Sequence, residues 1–570
     1  MKIDFKANPF FLEDEDIVWI QKSLEEMTVE EKVGHLFCIL IKDKPVEEMA
    51  KEMDRIGFWP GGYMTDVFPA KTVKENFRKL QSRSRLPLLF ASNLERGADG
   101  ICEEGTLFGT QMQVAATGDE TWAYELGRVC AEEAAVTGAN WNFGPILDID
   151  TNFHNPITNT RVFSSDWRTV LNMSKAFARG QREAGLAVCM KHWPGDGRDE
   201  RDQHMVTSVN DCTVEEWEAS YGRVYREVMA EGAESVMAAH IMLPSYTKEI
   251  CPNIQNDEIL PASLSYELTT ILLRERLGFN GLVVTDATTM TGFMQTMARK
   301  DALPLAVAAG CDMILFTLDL EEDYHYVLEA VQREIISMNR LDEAVTRILA
   351  LKAHLKLHKK MEQGTLFPSD DAFSVFERED NRNLARECAD KSVTLVKNTE
   401  NLIPVNPVVY KRVLLHVLGD KGGYHDPVCN MSAYFKELLE REGFEVTVYD
   451  PSKKDLLPVG NSIESMKSRF DLIIYYCSVK TSGSDNVSRI TWSAPGGCNT
   501  PRYIHEIPTL FISVDNPYML LDVPAVKTYI NGYTPGRYVI DSVVEKIMGR
   551  SEFMGKNPVD PFCGLFQAEN

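Results

Sequence analysis

The chain reads as an α/β protein in which a TIM-like (β/α)8 barrel is followed by an α/β/α three-layer sandwich domain. Three observations carry that expectation. Between about residues 34 and 317, eight short apolar, β-branched runs alternate with longer segments of helical periodicity, the pattern of parallel βα units. A second, shorter α/β alternation begins near residue 381, after a polar stretch around 364–371. The 570 residues also exceed what a single hydrophobic core usually organises. The predicted layout is a barrel over 1–360, a linker over 361–387 and a sandwich with a terminal tail over 388–570.

The eight predicted barrel strands are 34–40, 57–64, 86–92, 140–148, 185–192, 235–240, 281–286 and 312–317. Helical spacing marks 120–136, 167–184, 213–231 and 266–277, and Thr213 with Glu216 has the spacing of a capping box. Helical sequence continues from 320 to about 361. In the second domain the apolar runs 393–396, 413–417, 446–449, 472–477, 510–514 and 528–531 alternate with helices such as 432–442, which predicts a sheet covered on both faces.

Composition narrows the partners. A formal net charge of −24, from 84 acidic against 60 basic side chains, disfavours nucleic acid and anionic membrane, because both need clustered Lys and Arg. A small neutral or amphoteric ligand fits. The acidic start, with Asp4, Glu13, Asp14, Glu15 and Asp16, lacks the basic and apolar character of a secretory signal. No apolar run approaches the ~18 residues that span a bilayer. A soluble, cytoplasmic protein is expected. Twelve cysteines lie scattered from Cys38 to Cys563 without a C-x-x-C pair, which predicts free thiols and neither a zinc knuckle nor a disulfide framework. No cofactor and no metal are expected.

The polar residues fall at one place in each βα unit. Glu95 follows the third predicted strand, Asp148 ends the fourth, Lys191 and His192 end the fifth, His240 ends the sixth and Asp286 ends the seventh. In a barrel these ends converge on the face where active sites form. Taken singly, each residue could equally mark where a strand leaves the core.

Two segments carry chemistry. Lys191-His192-Trp193-Pro194-Gly195-Asp196-Gly197 runs from a strand into a loop and is followed by Asp202-Gln203-His204. An aspartate two residues from a histidine can hydrogen-bond the imidazole, fix its tautomer and raise its basicity, as a general acid/base requires. The same loop also reads as a solvated charged turn through Arg198, Asp199, Glu200 and Arg201, or as a metal site built from His192, Asp196, Asp202 and His204, although no H-x-H or H-E-x-x-H spacing supports metal. The second segment, Gly281-Leu282-Val283-Val284-Thr285-Asp286-Ala287, puts a carboxylate at the end of a buried strand, either as a nucleophile or as the cap of the next helix. A Schiff-base lyase using Lys191 and a catalytically silent sugar-binding protein are the remaining alternatives.

These segments resemble the glycoside hydrolase family 3 pattern of the β-N-acetylglucosaminidase branch, in which K-H-F-P-G-H-G is followed by D-S-H or D-T-H. Pro145-Ile146-Leu147-Asp148, Asn155-Pro156 with Arg161-Val162-Phe163-Ser164-Ser165-Asp166, and Ala239-His240-Ile241-Met242-Leu243-Pro244 extend the resemblance. So does Pro261-Ala262-Ser263-Leu264-Ser265, and the likeness covers most of 25–355. It implies a retaining exo-β-N-acetylglucosaminidase with Asp286 as nucleophile and His204 as acid/base, oriented by Asp202. It further implies Lys191, His192, Arg161 and Asp148 as ligands of the terminal sugar, with Asn93, Glu95 and His240 completing the expected sugar site. The β-glucosidases of the family instead take a glutamate from the second domain as acid/base, and the Asp-x-His loop points away from them. Three departures from the pattern matter: Asp196 replaces a histidine, Gln203 replaces serine or threonine, and Asn93 stands where D-x-E-G-G has its aspartate. Because a neutral imidazole does not repel anions, water and phosphate both qualify as acceptors.

Overall fold

A computed structural model describes residues 3–42, 44–420, 430–453, 456, 461–480, 483, 486–494 and 496–569. Eight strands close into a barrel: Phe37–Ile41, Gly62–Thr65, Leu89–Ser92, Trp141–Asn142, Ala187–Trp193, Ser235–Ala238, Leu282–Ala287 and Met313–Leu315. Each is parallel to the next, and the first pairs with the eighth. The third, fifth and sixth strands are buried at every residue. That is why their sequences are continuous apolar runs: helices cover one side and packed barrel interior the other.

All eight predicted strands are present, but three end earlier than their apolar runs: the fourth, the sixth and the eighth, which was expected to reach 317 and stops at Leu315. The fourth was expected over 140–148 and stops at Asn142, so Asp148 lies beyond it. Pro145 has no N–H for the ladder, and the chain continues alongside the fifth strand by irregular pairing. Cys189 N donates to Gly144 O (3.0 Å), Lys191 N to Pro145 O (3.2 Å) and Leu147 N to Lys191 O (2.7 Å). The sixth strand ends at Ala238, so His240 also stands just past the strand. There the chain turns into a two-residue pairing of Ile241–Met242 with Ser208–Val209. The helix expected over 213–231 is two helices, Val214–Ala219 and Tyr221–Ala230, broken at Ser220, whose φ of −123° and ψ of −93° are not helical. Its predicted cap is present: Glu216 N donates to Thr213 Oγ1 (3.2 Å) and Thr213 N to Glu216 Oε2 (2.9 Å).

The chain forms two compact units. The first comprises residues 1–107, 123–149 and 167–379 and holds the barrel; the second comprises 108–122, 150–166 and 380–570. The second contains a six-stranded sheet of Thr394–Asn398, Arg412–Gly419, Glu445–Val448, Leu472–Ser478, Thr509–Ser513 and Thr528–Asn531. Thr394–Asn398 runs antiparallel to Thr528–Asn531, and the other pairings are parallel. Alternate residues of one strand serve opposite cores. Leu472, Ile474 and Tyr476 pack with Phe435 and Leu439 of helix Met431–Arg441 and with Val539 and Ile540 of helix Arg537–Ile547. Ile473, Tyr475 and Cys477 face the other way, toward Met466, Phe470 and Leu520. The result is the three-layer sandwich that the alternation predicts.

The eleven described cysteines are free thiols, ten of them buried; Cys429 lies outside the described residues. Among the described residues no helix is long and apolar enough to cross a membrane.

One ionic cluster locks the barrel seam. Asp312, fully buried just before the eighth strand, accepts from Arg274 (2.5 Å), Arg340 (2.7 Å) and the backbone N–H of Val283 (2.9 Å), and Arg347 lies 3.6 Å away. Burial pushes the Asp312 carboxyl up, but the three guanidiniums outweigh it and hold it below the usual carboxylate range. Losing that anion strips buried Arg274 of its carboxylate partner and leaves Arg340 and Arg347 with Glu343 alone. Asp312→Asn should therefore lower unfolding stability by about 3–5 kcal/mol, read from denaturant midpoints. A change below about 1 kcal/mol would show that the cluster does not hold the seam.

Candidate active site

The fifth strand delivers Lys191 and His192, and the sequence after it is built to turn. Trp193 packs edge-on against Trp217 (5.5 Å between centroids) and Tyr225 (4.9 Å). Trp217 Nε1 donates to Pro194 O (2.9 Å), Asn210 Nδ2 to Gly195 O (3.0 Å) and the Tyr221 hydroxyl to Asp196 O (2.9 Å). Gly195 has a φ of +119°, and a Cβ there would lie 2.1 Å from the Tyr221 ring, so this position requires glycine.

Lys191, 2% exposed, reaches two partners: its Nζ donates to Asn93 Oδ1 and to Glu95 Oε1, each at 2.7 Å. An ammonium only donates, so Asn93 must turn its carbonyl oxygen to Lys191 and its exposed amide N–H groups outward. His192 is held by Asp148, whose Oδ2 lies 2.6 Å from the ring Nδ1 and whose Oδ1 accepts the backbone N–H of His192 (3.1 Å) and of Asp196 (2.7 Å). Asp148 is thus a bracket joining the irregular end of the fourth strand to the loop after the fifth.

The predicted Asp–His contact is present. Asp202 Oδ1 accepts from the His204 ring Nδ1 (2.7 Å) and from the His204 backbone N–H (2.9 Å). The Asp202 side chain is fully buried, whereas that of His204 is 32% exposed. A carboxylate accepts only, so the ring carries its proton on Nδ1, and Nε2 is the nitrogen outside the pair.

Asp286 lies within the seventh strand. Its Oδ1 accepts the N–H of Ala287 (2.8 Å), while Oδ2 is buried with no hydrogen-bond partner among the described residues. Burial alone would raise this carboxyl. The surrounding His192, His240 and His204 rings more than offset that and hold it below the usual carboxylate range, so it is an anion at neutral pH. His240 is itself buried, and burial lowers its pKa against the pull of the Asp286 carboxylate. Its Nε2–H donates to Ala287 O (3.1 Å), and its Nδ1 accepts from Ser263 Oγ (2.9 Å).

The barrel unit therefore gathers nine of the ten residues singled out from sequence: Asn93, Glu95, Asp148, Lys191, His192, Asp202, His204, His240 and Asp286. Arg161 belongs to the second unit, where its Nη1 donates to Ile157 O (3.3 Å). Two residues that position others had no role in the sequence reading. Ser263 stands in the Pro261-Ala262-Ser263 run but was assigned nothing, and Gln203 registered only as a departure from a pattern. Neither contact has a sequence period, because both cross between barrel units. As for metal ligands, His192 and His204 each commit Nδ1 to a carboxylate. The one group of three ligand-type side chains within 4.8 Å of one another, among the described residues, is Glu13, Glu15 and Asp16, where Lys356 and Lys359 already supply the counter-charge.

Residues 28–351 match the model of the glycosyl hydrolase family 3 N terminal domain. The chain is 41% identical over 571 residues, 99% of both sequences, to a protein of Cellulomonas fimi named β-N-acetylglucosaminidase/β-glucosidase. A solved structure titled β-glucoside phosphorylase BglX superposes with a TM-score of 0.93 at 41% identity, covering 99% of both chains. A family 3 β-N-acetylglucosaminidase from Paenibacillus sp. str. FPU-7 shares the fold at 23% identity, with a TM-score of 0.76 over 95% of this chain and 100% of that one. The chain belongs to glycoside hydrolase family 3 and is a β-glycosidase.

Proposed function

We propose that the protein cleaves terminal β-linked N-acetylglucosamine or glucose from small glycans or peptidoglycan fragments by double displacement, with phosphate competing with water as the acceptor. The observation that carries this reading is the Asp202–His204 pair on the loop beside Asp286, an acid/base made of imidazole where a carboxylate would otherwise serve. Asp286 Oδ2 attacks the anomeric carbon as the exocyclic C–O bond breaks, and protonated His204 gives its Nε2 proton to the departing oxygen. A covalent glycosyl ester on Asp286 results. The acceptor then attacks the same carbon, the ester C–O bond breaks, and Asp286 recovers its charge. If water attacks, neutral His204 takes its proton; if hydrogen phosphate attacks, a sugar 1-phosphate of retained configuration leaves and the proton that the phosphate carried returns His204 to its charged form. Lys191, His192, Asp148, Asn93 and Glu95 are read as sugar ligands.

The phosphate branch follows from charge. At an effective dielectric near 20, like unit charges about 4 Å apart repel by about 4 kcal/mol. A carboxylate base would impose that cost on an approaching phosphate, and a neutral imidazole does not. The names of the two relatives at 41% identity agree with this reading: one specifies both sugars and the other specifies phosphorolysis.

A panel of aryl β-glycosides assayed with and without phosphate tests sugar and acceptor together. Turnover of the N-acetylglucosaminide and glucoside should exceed that of the galactoside and xyloside, and phosphate should divert product from free sugar to sugar 1-phosphate. Free sugar alone at saturating phosphate would confine the enzyme to hydrolysis. Turnover of neither favoured sugar would refute the proposed specificity.

His204→Ala separates acid catalysis from binding. Substrates with poor leaving groups need the proton and should lose roughly 10²–10⁴-fold in kcat/KM. Activated nitrophenyl glycosides should lose far less, because their leaving groups depart unprotonated. Equal losses would mean that the loop only binds sugar.

A further inference from the structure

We infer that Gln203 is a positioning residue, a latch that ties the Asp202–His204 loop to the end of the sixth strand and so sets where the acid/base stands relative to Asp286. The inference rests on the reading of His204 as acid/base. Gln203 is only 1% exposed although it lies between two site residues on a loop, and its Oε1 accepts the backbone N–H of His240 (3.0 Å). That N–H lies past the last residue of the sixth strand, so the glutamine side chain takes the place of a missing ladder partner. His240 is in turn held to the nucleophile's strand through its ring bond to Ala287 O, next to Asp286. Acid/base loop, His240 and nucleophile are thus linked by successive hydrogen bonds.

The rest of the loop shows the same close seating. Thr291 N donates to His204 O (3.0 Å), Ser208 N to His240 O (3.1 Å) and Thr207 Oγ1 to Gly292 O (2.8 Å). A Cβ on Gly292 would lie 2.3 Å from Gln203 O, so a glycine at the start of the helix after Asp286 is what lets the loop backbone approach. The loop is seated against the elements on either side of the nucleophile. A serine or threonine at 203 has a side chain too short to span the same gap.

The test compares leaving groups in Gln203→Met, which keeps the volume and removes the acceptor. Displacing a proton donor by a fraction of an ångström to 1 Å costs up to about 10²-fold. The variant should therefore lose roughly 10–100-fold in kcat/KM on poor leaving groups and no more than about threefold on activated aryl glycosides. Gly292→Ala, which pushes the same loop outward while leaving Asp202, Gln203 and His204 intact, should show the same split and serves if Gln203→Met does not fold. Gln203→Glu, which keeps an acceptor oxygen at the same reach, should recover part of the loss. Equal losses on both substrate classes would mean a merely structural glutamine, and no loss on either would mean that the latch does not set the acid; both overturn the inference. If His204→Ala itself shows no leaving-group split, the acid/base reading fails first and takes the latch with it. If His204→Ala shows the split and the loop variants do not, only the latch is wrong.

Discussion

Between Asp202, whose side chain is wholly out of water, and the ring of His204, a 2.7 Å hydrogen bond decides which imidazole nitrogen lies outside the pair. A buried carboxylate without partners is too costly to keep, so the loop must fold back until the histidine's own N–H and its ring both reach it. The conformation that satisfies the anion is also the one that exposes Nε2. Stability and chemistry are served here by one contact, and the surrounding residues are arranged to permit it: Gly195 makes the turn, the Trp193–Trp217–Tyr225 cluster fixes its start, and Gly292 leaves room for its end.

Asp286 shows the opposite treatment. One of its oxygens is tied to the next backbone N–H, and the other is buried with no hydrogen bond among the described residues. Burial disfavours that charge, and the nearby His192, His240 and His204 rings outweigh it and hold the carboxyl below the usual range; under the proposed mechanism this oxygen is the nucleophile. Lys191 does not supply that compensation directly, since its charge is spent on Glu95 and its remaining reach on Asn93. The site thus separates a paired carboxylate, proposed to orient, from one with an unpartnered oxygen, proposed to react. The two roles follow from environment, not from residue type.

Much of this was legible in the chain. Parallel strands covered on both sides must be written as apolar runs, so the barrel strands and the central sandwich strands could be read off, while the edge strands Thr394–Asn398 and Glu445–Val448 showed through their β-branched residues. Asp202 and His204, two residues apart, could only meet locally. The sequence misled where pairing became irregular: Asp148 and His240 stand beyond their strands, because the Pro145 segment and the turn after Ala238 leave the ladder while remaining apolar. It was silent where a contact joins separate βα units. Nothing local distinguishes Gln203 or Ser263 from any other buried polar residue; only folding brings each to His240. Arg161 marks the same limit, since a family motif groups it with the sugar ligands while the fold assigns its segment to the second compact unit.

The central claim, that Asp286 carries the sugar between two displacements, is most directly tested by trapping that state. An activated 2-deoxy-2-fluoro aryl β-glucoside should inactivate the enzyme, because the fluorine slows both displacements while the good leaving group still lets the first proceed. After proteolysis, mass spectrometry should place a single fluoroglucosyl group on Asp286, and incubation with phosphate should release it. A label on any other residue, or inactivation without a covalent label, would contradict the account.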